Sequence, residues 1–187
     1  MHVLGDTFVT ISPQTVDISA SSSSSLSTSG VEINGLSSGK AEAQFDGNLT
    51  IDLATRRSFK VDGTENSSYG YGLRLLNDFK ADVGKNLNIT LKYVPTTVHQ
   101  EATLTSLYGI YSKDDHSNSE ASTLVVNGTA TLNLNGTKGS TYGIYVYGNQ
   151  EESIHHQYND LSIVASGNGG TTAGIYLLSM FWEISIF

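Results

Sequence analysis

Apolar and polar residues alternate in short blocks that recur along the chain. The clearest are Asn48-Leu49-Thr50-Ile51-Asp52-Leu53 and Asn86-Leu87-Asn88-Ile89-Thr90-Leu91; Thr131-Leu132-Asn133-Leu134-Asn135 and Asp160-Leu161-Ser162-Ile163-Val164 repeat the pattern. Strict alternation is the mark of a strand with one buried side. A second motif recurs beside these blocks: Tyr71-Gly72-Leu73-Arg74, Tyr108-Gly109-Ile110-Tyr111, Tyr142-Gly143-Ile144-Tyr145 and Ala173-Gly174-Ile175-Tyr176. Its glycines lie 37, 34 and 31 residues apart, a drift expected when loops of different length interrupt a repeating unit. Turn-rich stretches such as Asp62-Gly63-Thr64-Glu65-Asn66 and Gly167-Asn168-Gly169-Gly170 separate the blocks.

A unit of this length with two or three short strands and no helical period predicts an all-β fold, a parallel β-helix (β-solenoid) of about five coils. Equivalent residues then pile into ladders about 4.8 Å apart. Period two from Leu73, Ile110, Ile144 and Ile175 places Tyr71, Tyr108, Tyr142 and Ala173 inward as well. It places the motif glycines outward, marking either a bulge or a close approach. The outward ladder is then Arg74, Tyr111, Tyr145 and Tyr176, with Tyr147 beside it. Residues 1–44 read as an irregular start with a partial coil, in which the Ser-rich stretch Ser19 to Gly30 is an exposed loop or linker. Residues 45–178 form the solenoid repeats, and 179–187 an off-pattern apolar tail.

Composition agrees and narrows the function. Among 187 residues, 25 Ser, 19 Thr, 13 Asn and 19 Gly favour strands and turns over helices. The net charge of −8 and the absence of basic patches argue against nucleic-acid binding. No cysteine is present, which removes disulfides and thiol chemistry. No leader-like amino end is read, and the apolar stretch 174–187, interrupted by Glu183, is too short for a membrane-spanning helix.

His155-His156 after Glu151-Glu152, and Asp114-Asp115-His116, read as solvated loops; adjacent residues of an extended segment face opposite ways and do not share a metal. Asp46, Asp52, Asp62, Asp78 and Asp82 read as scattered surface acids with no visible glycosidic pair. No nucleophile, zinc or phosphate-loop motif occurs, so no catalytic residue, metal site or cofactor is expected. The sequons at Asn48, Asn66, Asn88, Asn127 and Asn135 follow from Asn- and Thr-rich composition. The outward ladder is the candidate binding surface: Arg74, Tyr111, Tyr145, Tyr147 and Tyr176. It either contacts sugar rings or an apolar partner, or supports itself by packing between strands.

The recurring Tyr-Gly-Ile-Tyr beside Asn-Leu-x-Ile blocks, in an acidic, cysteine-free, Ser/Thr/Asn/Gly-rich chain, resembles the passenger regions of bacterial autotransporter proteins over residues 45–178. The resemblance implies a right-handed parallel β-helix exported through an outer-membrane barrel to the cell surface, with roles in adhesion, aggregation or biofilm formation. The expected partners are a host glycan, a surface protein or another copy of the chain. The alternatives are a polysaccharide-acting β-helix enzyme and a structural stalk. With no signal or barrel read and an off-pattern tail, the chain is expected to be a fragment not exported alone.

Overall fold

The computed structural model describes residues 1–21, 27–36, 39–55, 68–94, 105–115, 121–136, 139–148, 154–178 and 182–186. All described regular structure is β. The first coil holds β1 (His2–Leu4), β2 (Thr7–Ile11) and β3 (Thr15–Ser21), and the second β4 (Ser27–Asn34), β5 (Ala41–Phe45) and β6 (Asn48–Thr55). The third holds β7 (Ser68–Leu76), β8 (Phe79–Val83) and β9 (Leu87–Tyr93). Next come β10 (Thr105–Asp114) with β11 (Ser122–Asn135), then β12 (Thr141–Gly148) with β13 (Ile154–Ser166), and finally β14 (Thr172–Leu178) with β15 (Trp182–Ile186).

Every pairing is parallel, and each strand pairs with its counterpart one coil away, so the chain is a β-solenoid. The first face stacks β1, β4, β7, β10, β12 and β14. The second face stacks β2, β5 and β8, and the third β3, β6 and β9. Strand β11 runs through both: its first half pairs with β8 and its second half with β9, with a shift in register between Val126 and Thr129. Strand β13 follows it along both halves.

The alternating blocks form the third face as their pattern predicts. Leu49, Leu87, Ala130 and Leu161 make one inward column, Ile51, Ile89, Leu132 and Ile163 the next, and Leu53, Leu91, Leu134 and Ala165 the last. The middle coils of these columns are fully buried. Ile89→Ala is therefore expected to cost about 2–5 kcal/mol, through lost transfer energy and a cavity with no route to collapse. Urea unfolding of the variant checks this.

Asparagines set the corners. Asn48 Oδ1 accepts the Asn86 N–H at 3.2 Å, and Asn86 Oδ1 accepts the Thr129 N–H at 3.0 Å, so each side chain satisfies a turn donor one coil on. At the corner between the first and second faces, Ser122 donates to Asp114 at 2.5 Å, and Asp114 Oδ2 accepts the Asp78 N–H at 3.2 Å. Asn77 and Asp78 turn this corner with φ of 44°, a left-handed conformation these residues tolerate.

Regular winding begins before residue 45, since β4 to β6 form a coil in register with the next. The Ser-rich stretch read as a loop contributes to β3 and β4 at its two ends; residues 22–26 lie outside the described residues. Within the tail read as off-pattern, β15 pairs with β13 in the repeat's own register, placing Ile184 beside His156 and Ile186 beside Tyr158.

Candidate functional site

On the first face the ladder is Arg74, Tyr111, Tyr145 and Tyr176, in the register the motif predicts. Glu32 and His2 continue it toward the start of the chain. Tyr147 stands in the adjacent column, between Lys113 and Leu178.

The expected facing of the rest of the motif is reversed. Tyr71, Tyr108 and Tyr142 lie outside with the predicted ladder: the Tyr108 ring sits 5.2 Å from Tyr111 and 5.4 Å from Tyr145. Gly72, Gly109 and Gly143 face the core, and Gly174, in the last coil, is exposed. A Cβ on Gly72 would lie 2.4 Å from Ile89 Cγ2, and one on Gly143 2.4 Å from Ile163 Cγ2. Residues 108 and 111 share a side although three apart, because Gly109 and Ile110 are both buried and alternation slips by one there. Gly30 begins the same inward column, so Ser29-Gly30-Val31-Glu32 is an unrecognised copy of the motif.

The result is a two-column tyrosine sheet. Along one column Tyr71, Tyr108 and Tyr142 stack with centroids 5.1 and 5.3 Å apart; along the other Tyr111, Tyr145 and Tyr176 stack at 5.3 and 5.5 Å. Between columns most rings meet edge to face, at 63–87° and 5.2–5.4 Å. With Tyr69 and Tyr147, eight of the chain's ten tyrosines occupy this face. Ring faces are thus largely occupied by other rings, which disfavours sugars stacking on them. Tyr71 and Tyr142 are buried among the other rings, whereas the half-buried edges of Tyr108, Tyr111, Tyr145 and Tyr176 meet solvent, and none of these hydroxyls is a buried oxygen lacking a partner.

Burial pushes the Tyr71 phenol up to about 12, against the opposing effect of Arg74, and raises Tyr108, Tyr111 and Tyr145 as well. These phenols stay protonated near neutral pH and act as neutral hydrogen-bonding groups, not as bases. At the lower margin the Arg74 guanidinium lies 5.0 Å from the Tyr71 ring centroid and donates to Glu32 at 2.8 Å. Lys113 pairs with Asp115 and lies 5.4 Å from the Tyr147 ring centroid. The hydrogen bond to Asp115 raises the Lys113 pKa.

The other candidates are dispersed. Asp46 and Asp52 are exposed, Asp82 lies on the second face, and Asp78 is buried in a corner; Asp62 lies outside the described residues. Among the described residues, a surface depression of about 320 Å³ beside Lys92, Asn135 and Val164 has no carboxylate in its lining, and the only carboxylate lining another of about 260 Å³ is Asp52. His116, Glu151 and Glu152 also lie outside the described residues.

His155 and His156 lie on β13, not in a loop, and face opposite ways as adjacent strand residues must. His156 is fully buried in the core. Its Nε2 is 2.9 Å from Ser112 Oγ and its Nδ1 3.1 Å from Tyr158 Oη, both of them buried too. A serine–histidine pair this deep has no path to a substrate; it is a polar link across the core.

No family model, curated protein or solved structure matches this chain.

Proposed function

We propose that this chain is a non-enzymatic adhesion or aggregation module, part of a surface-exposed solenoid of the kind its sequence resembles in autotransporter passengers. The tyrosine sheet carries this reading. Tyrosine supplies large, rigid, amphipathic contact area at little conformational cost, which is why it is enriched in protein-binding surfaces. Ordered rings with outward edges favour a protein surface, on a host cell or on another copy of the chain, over a glycan needing free ring faces. The test is retention of beads coated with the chain on protein-coated and polysaccharide-coated surfaces. Changing Tyr111, Tyr145 and Tyr176 together to Ser is expected to abolish retention on protein while circular dichroism still reports the β fold. Undiminished retention by the folded triple variant overturns the assignment of this face.

The rings' packing on one another favours a second reading, a stalk whose tyrosines serve only rigidity. A stalk predicts no retention on either surface.

A further inference from the structure

The same rings carry a chemistry that does not depend on any partner. Tyr145 is surrounded by four others: Tyr111 at 5.3 Å with planes 5° apart, Tyr176 at 5.5 Å, Tyr108 at 5.4 Å and Tyr142 at 5.2 Å. Each neighbour is held by ladder hydrogen bonds in its own strand, so the rings stay adjacent for as long as the coils are stacked.

We infer that the tyrosine sheet is a site of oxidative cross-linking, at which a peroxide-driven one-electron oxidant joins tyrosines of neighbouring coils as dityrosine. Each of two phenols gives one electron to the oxidant and its hydroxyl proton to water, leaving a tyrosyl radical. The radicals couple through ring carbons ortho to oxygen, forming one C–C bond. Each coupled carbon then loses its hydrogen as a proton and each oxygen regains one, restoring two phenols. The net loss is two hydrogen atoms, which reduce one hydrogen peroxide to two waters. The half-buried edges of Tyr108, Tyr111, Tyr145 and Tyr176 give the departing protons a route to solvent, and a ring spacing near one strand separation leaves only a small movement to bonding distance.

The product ties coil to coil covalently. Such a link removes freedom from the unfolded chain, as a disulfide does, in a protein that contains no cysteine.

The experiment treats the full chain with a peroxidase and hydrogen peroxide across a dilution series, followed by tryptic digestion, mass spectrometry and dityrosine fluorescence. The expected product is a single-chain species lighter by two hydrogens, with a yield independent of protein concentration. Its cross-link joins the peptide carrying Tyr108 and Tyr111 to the peptide carrying Tyr142, Tyr145 and Tyr176. A variant with Phe at Tyr71, Tyr108, Tyr111, Tyr142, Tyr145 and Tyr176 keeps the ring packing and is expected to lose the product. The wild-type chain unfolded in urea is expected to lose its preference for this pair of peptides, which provides a comparison even where the variant does not fold. Absence of dityrosine, products formed only between chains, the same cross-link in the Phe variant, or an undiminished preference for this pair of peptides in the unfolded chain would each overturn the inference.

Discussion

Gly72→Ala is expected to destabilise the solenoid by about 1–3 kcal/mol or more, whereas Gly174→Ala is expected to be neutral or slightly stabilising. The contrast follows from what each new methyl meets. At Gly72 it would lie 2.4 Å from Ile89 Cγ2 and 2.6 Å from the Gly109 carbonyl oxygen; at Gly174 nothing lies within 4 Å. The carbonyl belongs to a backbone held by its own ladder bonds, so relief requires the first face to move away from the third over more than one coil. Gly143, with Ile163 Cγ2 at 2.4 Å and the Gly174 carbonyl oxygen at 2.5 Å, should behave like Gly72. Urea midpoints of the three single variants decide the matter. Equal midpoints for Gly72→Ala and Gly174→Ala would show that the glycine column is not a packing requirement.

Acidification should weaken the fold through His156. Complete burial, with a smaller contribution from the neighbouring His155, lowers its pKa from 6.5 to about 3. Above pH 6.5 the side chain is neutral in both folded and unfolded chains and contributes no pH dependence. Between pH 6.5 and about 3 the unfolded chain binds a proton that the folded chain excludes, and stability falls by roughly 1.4 kcal/mol per pH unit. Carboxylates also titrate toward the lower end of this window, so the informative quantity is the difference from His156→Leu. Leucine suits a column whose next member is Leu124, but it leaves Ser112 and Tyr158 without their partner, at about 1–3 kcal/mol for each unpaired group. The variant should therefore be weaker at pH 7.5 yet lose less on going to pH 4.5. Parallel losses in the two proteins would rule out His156 as the acid-sensitive group.

The third face was legible in the sequence because its chemistry is simple. In Leu49-Thr50-Ile51-Asp52-Leu53 each apolar residue is buried and each polar one looks outward, with nothing to shift the phase. The register of Arg74, Tyr111, Tyr145 and Tyr176 was legible for the same reason, since equivalent motif positions stack. The facing of Tyr108 was not, because one slip at Gly109-Ile110 inverts everything before it while leaving the residue pattern unchanged. The spacing of three between Tyr108 and Tyr111, with glycine between, is the only local sign of that slip. His156 was illegible for a different reason: Ser112 meets it across the core from another coil, and Tyr158, two residues along its own strand, joins it only because both are buried. Next to His155 and four residues after an acidic pair, it reads as part of a polar surface.

The all-parallel register also dictates how such a chain acquires its shape. A completed coil presents a row of backbone donors and acceptors, with apolar grooves between, to which the next stretch of about one coil's length can attach. Growth is then templated: a costly first pairing, followed by additions that each need a loop of modest size to close. A chain built this way can solidify progressively from one end while the remainder is still arriving, each new turn copying the alignment of its predecessor.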